Sequence, residues 1–192
     1  MAFTILPAPA DGLRLQPVAP SIAPMFCFAL LVTSCALASF AFACATPFAA
    51  FAVVATAMLP LPRALLVVAG AWLINQGIGL GVHHYPIDGK TMLWGVTIGI
   101  AALAATVVSA AVLRVLPRSG TPLVLVVAWI CAYATYELTL FAATPFLGGA
   151  GAFTAAIVAR LGMISALWLI GLVAVCEIVR LLNPFDRRHV VS

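Results

Sequence analysis

Charge is what this sequence has least of: 9 basic and 5 acidic residues among 192, or 7%, stand against 65% hydrophobic residues. So little polar surface cannot cover a water-soluble particle of this length, and a mean hydropathy of +1.23 places the chain in a bilayer. The formal net charge of +4 does not signal nucleic acid, because the basic residues are scattered rather than gathered into a phosphate-binding patch. Reactive cysteine patterns are missing too. Cys27, Cys35, Cys44, Cys131 and Cys176 lie singly in apolar runs with no C-x-x-C spacing, as small buried hydrophobes do. No P-loop, H-E-x-x-H or G-x-S-x-G motif occurs, and no soluble module that could bind a nucleotide is present. The expectation is a protein that is not an enzyme, and one that would draw any transport energy from another protein.

What the chain does contain is a series of apolar runs. Residues 1–24 carry five prolines and an Asp11-Gly12 turn signal, which predicts an irregular tail. Met25–Ala45 is long enough to cross about 30 Å of hydrocarbon at about 1.5 Å per residue. Ala43-Cys44-Ala45 resembles a signal-peptide cleavage site, but the apolar core is too long and the tail too weakly basic, so the segment is read as a retained span. Thr46-Pro47 then interrupts the run, and Pro47–Leu59 is too short to be comfortable and too apolar to be a loop. As one helix with the preceding run it would reach about 50 Å, so the chain must fold back, and a short second span is the expectation. Ala64–Val82, Thr91–Leu113, Pro122–Ala143 and Phe153–Leu182 complete an all-α, polytopic membrane bundle of six transmembrane spans. The transmembrane domain is 25–182, followed by a tail at 183–192.

With six crossings, Arg14, Arg63, Arg114, Arg118, Arg180, Arg187 and Arg188 fall on one side and only Lys90 on the other. The positive-inside rule then places both termini in the cytoplasm of a bacterial inner membrane. Gly95-x-x-x-Gly99 on the fourth span has the small-residue spacing of a helix-packing seam, and Ala41-x-x-x-Ala45 on the first has it more weakly.

Polar side chains inside the spans converge on one depth. Glu137 on the fifth span and Arg160 on the sixth each lie about 10 Å beneath the outer surface at helical rise, at the level of Asn75 and Gln76 on the third. A charge near mid-membrane costs about 2.5–3.5 kcal/mol on insertion scales, so an ion pair between Glu137 and Arg160 is expected. Trp72, Gln76 and His83 make one helical stripe, and Trp129, Tyr133 and Glu137 another. Aromatic planes with a few convergent polar groups suit a pocket for a medium-sized organic ligand. The candidate site is therefore Trp72, Asn75, Gln76, Tyr133, Glu137 and Arg160, roofed by the 83–90 loop with His83, His84 and Tyr85. The bland reading of the same residues is a set of interhelical locks, worth about 0.6 kcal/mol each on average. No metal site is expected, since His189 is far from His83 and His84; one of that pair as a single axial ligand to a cofactor metal is the remaining option. Trp94 reads as an interfacial anchor.

In size, in its six spans with a short second one, in the alanine-rich run Ala36-Leu37-Ala38-Ser39-Phe40-Ala41-Phe42-Ala43-Cys44-Ala45 and in its outward polar layer, the chain resembles the S components of energy-coupling-factor (ECF) transporters. That resemblance implies capture of a vitamin-like small-molecule substrate from the outer side and an ATPase-coupled membrane partner. The solitary cobalamin-transporting group of proteobacteria is similar in kind, which implies cobalamin as substrate. No cysteine lies in 71–90, so His83 or His84 would take the place that a cysteine sulfur holds there. Two other classes stay open: a structural or assembly subunit with no ligand, and a haem- or quinone-bearing redox subunit, disfavoured because no two histidines sit on facing helices.

The charge split generates a direct test of topology. Reporter fusions after Arg63 and Gly120 should report the cytoplasm and a fusion after Gly89 the outside; a cytoplasmic signal at Gly89 would overturn the orientation.

Overall fold

The computed structural model describes residues 13–42, 46–117 and 119–183. Cys44, Ala45, Arg118, Arg187, Arg188 and His189 lie outside the described residues, as do the first twelve residues and 184–192. The described chain is all-helical: α1 (Ala23–Phe42), α2 (Phe48–Met58), α3 (Leu61–Gly81), α4 (Gly89–Val115), α5 (Thr121–Leu147) and α6 (Ala155–Leu182), with a 3-10 turn at Ala150–Phe153 before α6. All but α2 are long and apolar enough to cross a membrane, with mean hydropathies from 1.6 to 2.3. The protein is a multi-pass membrane bundle.

The short apolar run after Thr46-Pro47 forms the centre of the molecule. All eleven residues of α2 are buried, and the helix packs on every one of the other five. A helix that is apolar all round belongs inside a bundle, and its alanines and valines let the neighbours approach closely. At about 1.5 Å per residue it spans about 16 Å, roughly half the hydrocarbon thickness. Its one polar side chain, Thr56, donates to the Ala52 carbonyl at 2.7 Å and shares a 2.8 Å hydrogen bond with Ser109 of α4.

Element boundaries follow local chemistry. Pro62 sits in the first turn of α3, where its missing N–H has no helical partner to lose. Asp88 caps α4, accepting from Thr91 N at 2.8 Å, and that hydrogen bond holds its carboxyl below the usual carboxylate range. The fifth span was expected to end at Ala143, ahead of Pro145. Instead α5 continues to Leu147, because Thr144 Oγ1 donates at 2.8 Å to the Phe141 carbonyl that Pro145 cannot serve. Gly148 and Gly149, with φ of 82° and 85°, then turn the chain in a conformation that favours glycine.

Residues 13–22 are irregular, as expected of a proline-rich segment, yet they are docked rather than free. The Arg14 and Leu15 amides both donate to the Ala57 carbonyl at the end of α2, and Leu15 is buried. The Arg14 guanidinium donates through Nη1 to the Ser119 carbonyl and through Nη2 to that of Leu116, closing the α4–α5 turn. The cysteines pack as small hydrophobes: Cys27, Cys35 and Cys176 are buried, Cys131 is half-buried, and none of these four forms a disulfide.

Gly95 and Gly99 lie buried where α4 meets α3, but what they admit is side chains rather than backbone. A Cβ at Gly95 would stand 2.5 Å from Gln76 Oε1, and one at Gly99 would stand 2.7 Å from the Trp72 ring. Trp72 Nε1 in turn donates to the Gly95 carbonyl at 2.9 Å. Gly99→Leu should therefore expel the indole and destabilise the bundle by about 1–3 kcal/mol in detergent unfolding. Gly77→Ala, at a helical glycine with nothing within 4 Å of its Cβ position, should change stability by less than about 0.5 kcal/mol. Equal effects of the two would refute the seam.

Candidate functional site

A cavity of about 520 Å³ occupies the end of the bundle away from Arg14. Its origin is the shortness of α2. Thr46 Oγ1 accepts from Asn75 Nδ2 at 2.8 Å, so α2 starts at the depth of Asn75, and α3 continues past that level for about 9 Å at helical rise. The column above Phe48 and Ala49 is left to side chains of the surrounding helices. Thr46 and Pro47 line the floor, and non-helical backbone at this depth is tolerated where it faces a cavity.

The walls come from α3 through Asn75 and Gln76, from α4 through Trp94, from α5 through Tyr133, Tyr136 and Glu137, and from α6 through Ile157, Leu161 and Ser165. Residues 83–86 fold back over the end of α3. His84 has a φ of 53°, in the left-handed region that non-glycine residues seldom adopt. The turn lays the Tyr85 ring against Gly79, where a Cβ would meet it at 2.9 Å, and stacks it on His83 at 5.7 Å between centroids. His83 Nε2 lies 3.1 Å from the Ser39 carbonyl. Because a carbonyl only accepts, Nε2 carries the proton there.

Of the expected site residues, Asn75, Gln76, His83, Tyr85, Tyr133 and Glu137 all line this cavity. Trp72 does not; its ring covers Gly99 of α4. His84 is exposed and lies off the lining. Arg160 is exposed on the outer face of α6, whereas Glu137 is only 9% exposed. The expected Glu137–Arg160 ion pair is not formed: among the described residues the ion pair present is Arg180–Glu177, at 2.6 Å. The depth argument holds but the rotation differs, since Arg160 precedes the inward-facing Leu161 by one residue, roughly 100° round the helix.

Several lining residues carry no signal in a span-by-span reading. Trp94, expected as an interfacial anchor, lines the cavity, and its ring lies 3.6 Å from the Cβ position of Gly149. Phe48, Tyr136 and Phe153 lie in apolar runs where nothing distinguishes a cavity wall from core; Tyr136 stands one residue before Glu137 and three after Tyr133, and only the packed bundle reveals its direction.

The polar groups divide into two sets. Asn75 Nδ2 donates to Ser39 Oγ at 2.9 Å and to Thr46 Oγ1, and Asn75 Oδ1 accepts from Gln76 Nε2 at 3.2 Å. Tyr133 donates its hydroxyl proton to the Val158 carbonyl of α6, and its ring stacks on Trp129, whose Nε1 donates to Ser165 at 3.1 Å. These donors tie α3 to α1 and α5 to α6. The Glu137 carboxylate lies beside the Tyr133 hydroxyl. No cationic side chain comes within ion-pair distance of it among the described residues. No three His, Cys, Asp or Glu side chains converge as a metal site among the described residues.

A double-mutant cycle on Glu137→Gln and Arg160→Gln should give additive stability changes, with a coupling within about 0.5 kcal/mol. A large coupling would restore the ion pair.

Comparison with protein-family models, curated proteins and solved structures finds no match.

Proposed function

We propose that the protein is a membrane-embedded binding protein that captures a small, vitamin-like organic molecule from the outer side of the membrane, and that an ATPase-coupled membrane partner energises its transport. One observation carries this reading: a cavity of about 520 Å³ with aromatic walls and a few polar groups, set above a helix too short to fill the bundle. Pockets of this size and lining suit drug-sized organic ligands. The resemblance to ECF S components agrees with this architecture of six helices with a short second one. The cavity volume favours a compact ligand over a corrinoid, so cobalamin is the weaker substrate, although His83 keeps its Nδ1 as an acceptor.

The second reading is a structural or assembly subunit. It is favoured by the interhelical hydrogen bonds of Trp72, Asn75 and Trp129, which tie helices together without any ligand.

Thermal unfolding of the detergent-purified protein against a panel of water-soluble vitamins separates the two. A true ligand at about 100 times its Kd adds about 2.7 kcal/mol of stability. Trp94→Ala should weaken that binding about tenfold. Leu138→Ala, on the face of α5 turned away from the bundle and 65% exposed, should leave it unchanged. Stabilisation by no compound, together with stoichiometric co-purification of a membrane partner, would favour the structural reading.

A further inference from the structure

The cavity's chemistry defines the class of molecule it would take. Its donors are directed into the protein: Asn75 Nδ2 toward Ser39 and Thr46, Gln76 Nε2 toward Asn75, His83 Nε2 toward the Ser39 carbonyl and the Tyr133 hydroxyl toward the Val158 carbonyl. The Tyr133 hydroxyl is within hydrogen-bonding reach of both the Val158 carbonyl and the Glu137 carboxylate, so the two acceptors compete for its single proton. Glu137 is the one acidic side chain among the described residues that line the cavity. Among the described residues no Lys or Arg side chain lines the cavity, and Arg160, at matching depth, is exposed and off the lining.

A carboxylate removed from water with one shared hydroxyl proton and no cation beside it is costly, and calls for a positive charge or further hydrogen-bond donors. Rings that line the cavity, Trp94 and Tyr136 among them, supply aromatic surface of the kind that attracts a positive charge and apolar area that receives a hydrocarbon skeleton. An anionic ligand would meet like charge at Glu137, with no Lys or Arg among the described lining residues to offset it.

We infer that the cavity binds an amphipathic organic cation bearing N–H donors, a protonated amine on an aromatic or aliphatic frame, with Glu137 as its counter-ion. This rests on the binding-protein reading above and narrows it to one charge class.

Equilibrium binding by calorimetry on the intact detergent-purified protein tests it with three probes of one skeleton: tryptamine as the cation, N-acetyltryptamine as the neutral analogue and indole-3-propionate as the anion. Tryptamine should bind at least about tenfold more tightly than either analogue, as a charge-assisted contact requires. Glu137→Gln should remove that preference, bringing tryptamine down to within about twofold of the neutral analogue. If Glu137→Gln fails to fold, the ranking of the three probes on the wild-type protein decides. Equal or tighter binding of the neutral or anionic probe would overturn the inference, as would a preference that survives in Glu137→Gln. Absence of binding by all three probes, with stabilisation by a neutral or anionic vitamin, would sink the charge assignment alone; no binding by any compound of either set would sink the binding-protein reading with it.

Discussion

A bundle built from helices of 20 to 28 residues around a central helix of 11 has a space to resolve at one end, and much of this protein's architecture answers that mismatch. The bilayer sets the terms. Backbone N–H and C=O groups at membrane depth find no water, so a helix that begins halfway across must be shielded and satisfied by protein. At the start of α2 the Phe48 amide turns back to the Thr46 carbonyl, and those of Ala50 and Phe51 turn to that of Pro47. Pro47 itself has no amide hydrogen to satisfy. The other helices enclose the rest, and the space above becomes the cavity. Arrangement of the core and existence of the site are thus one fact rather than two.

The polar residues in the spans then do two kinds of work that composition cannot distinguish. Trp72, Asn75 and Trp129 bridge helices, each adding a modest increment in a medium where apolar contact between helices has no solvent to escape. Glu137 is different: it lies at the same depth, is nearly as buried as the core, and among the described residues has no cation beside it. Natural membrane proteins retain such a group at considerable cost, and here the Tyr133 hydroxyl stands beside it.

Depth along a helix was legible from residue numbers alone; rotation about it was not. Counting from the helix ends puts Asn75, Gln76 and Glu137 in one layer, and they do meet around one cavity. The same counting puts Arg160 there too, yet one step of roughly 100° turns it outward. Periodicity could not correct this, because the spans are apolar on every side and a lipid-facing leucine looks like a core leucine. The short second segment was visible as an apolar run broken by prolines, whereas its complete burial depends on how five other helices pack. Likewise the Pro145 boundary read as a stop, because the hydroxyl of Thr144 that rescues the orphaned carbonyl acts through geometry rather than composition.

Arg14 has a consequence measured in time. The carbonyls that receive its guanidinium belong to residues 102 and 105 positions downstream. A ribosome adding about 5–20 residues per second reaches them only after roughly five to twenty seconds. During that interval α1 to α4 are synthesised while the Arg14 guanidinium has neither acceptor and the turn that will clasp it does not yet exist. Closure of this end of the bundle is therefore a late event in biogenesis, and the amino-terminal segment reaches its seat only once the α4–α5 turn has been synthesised.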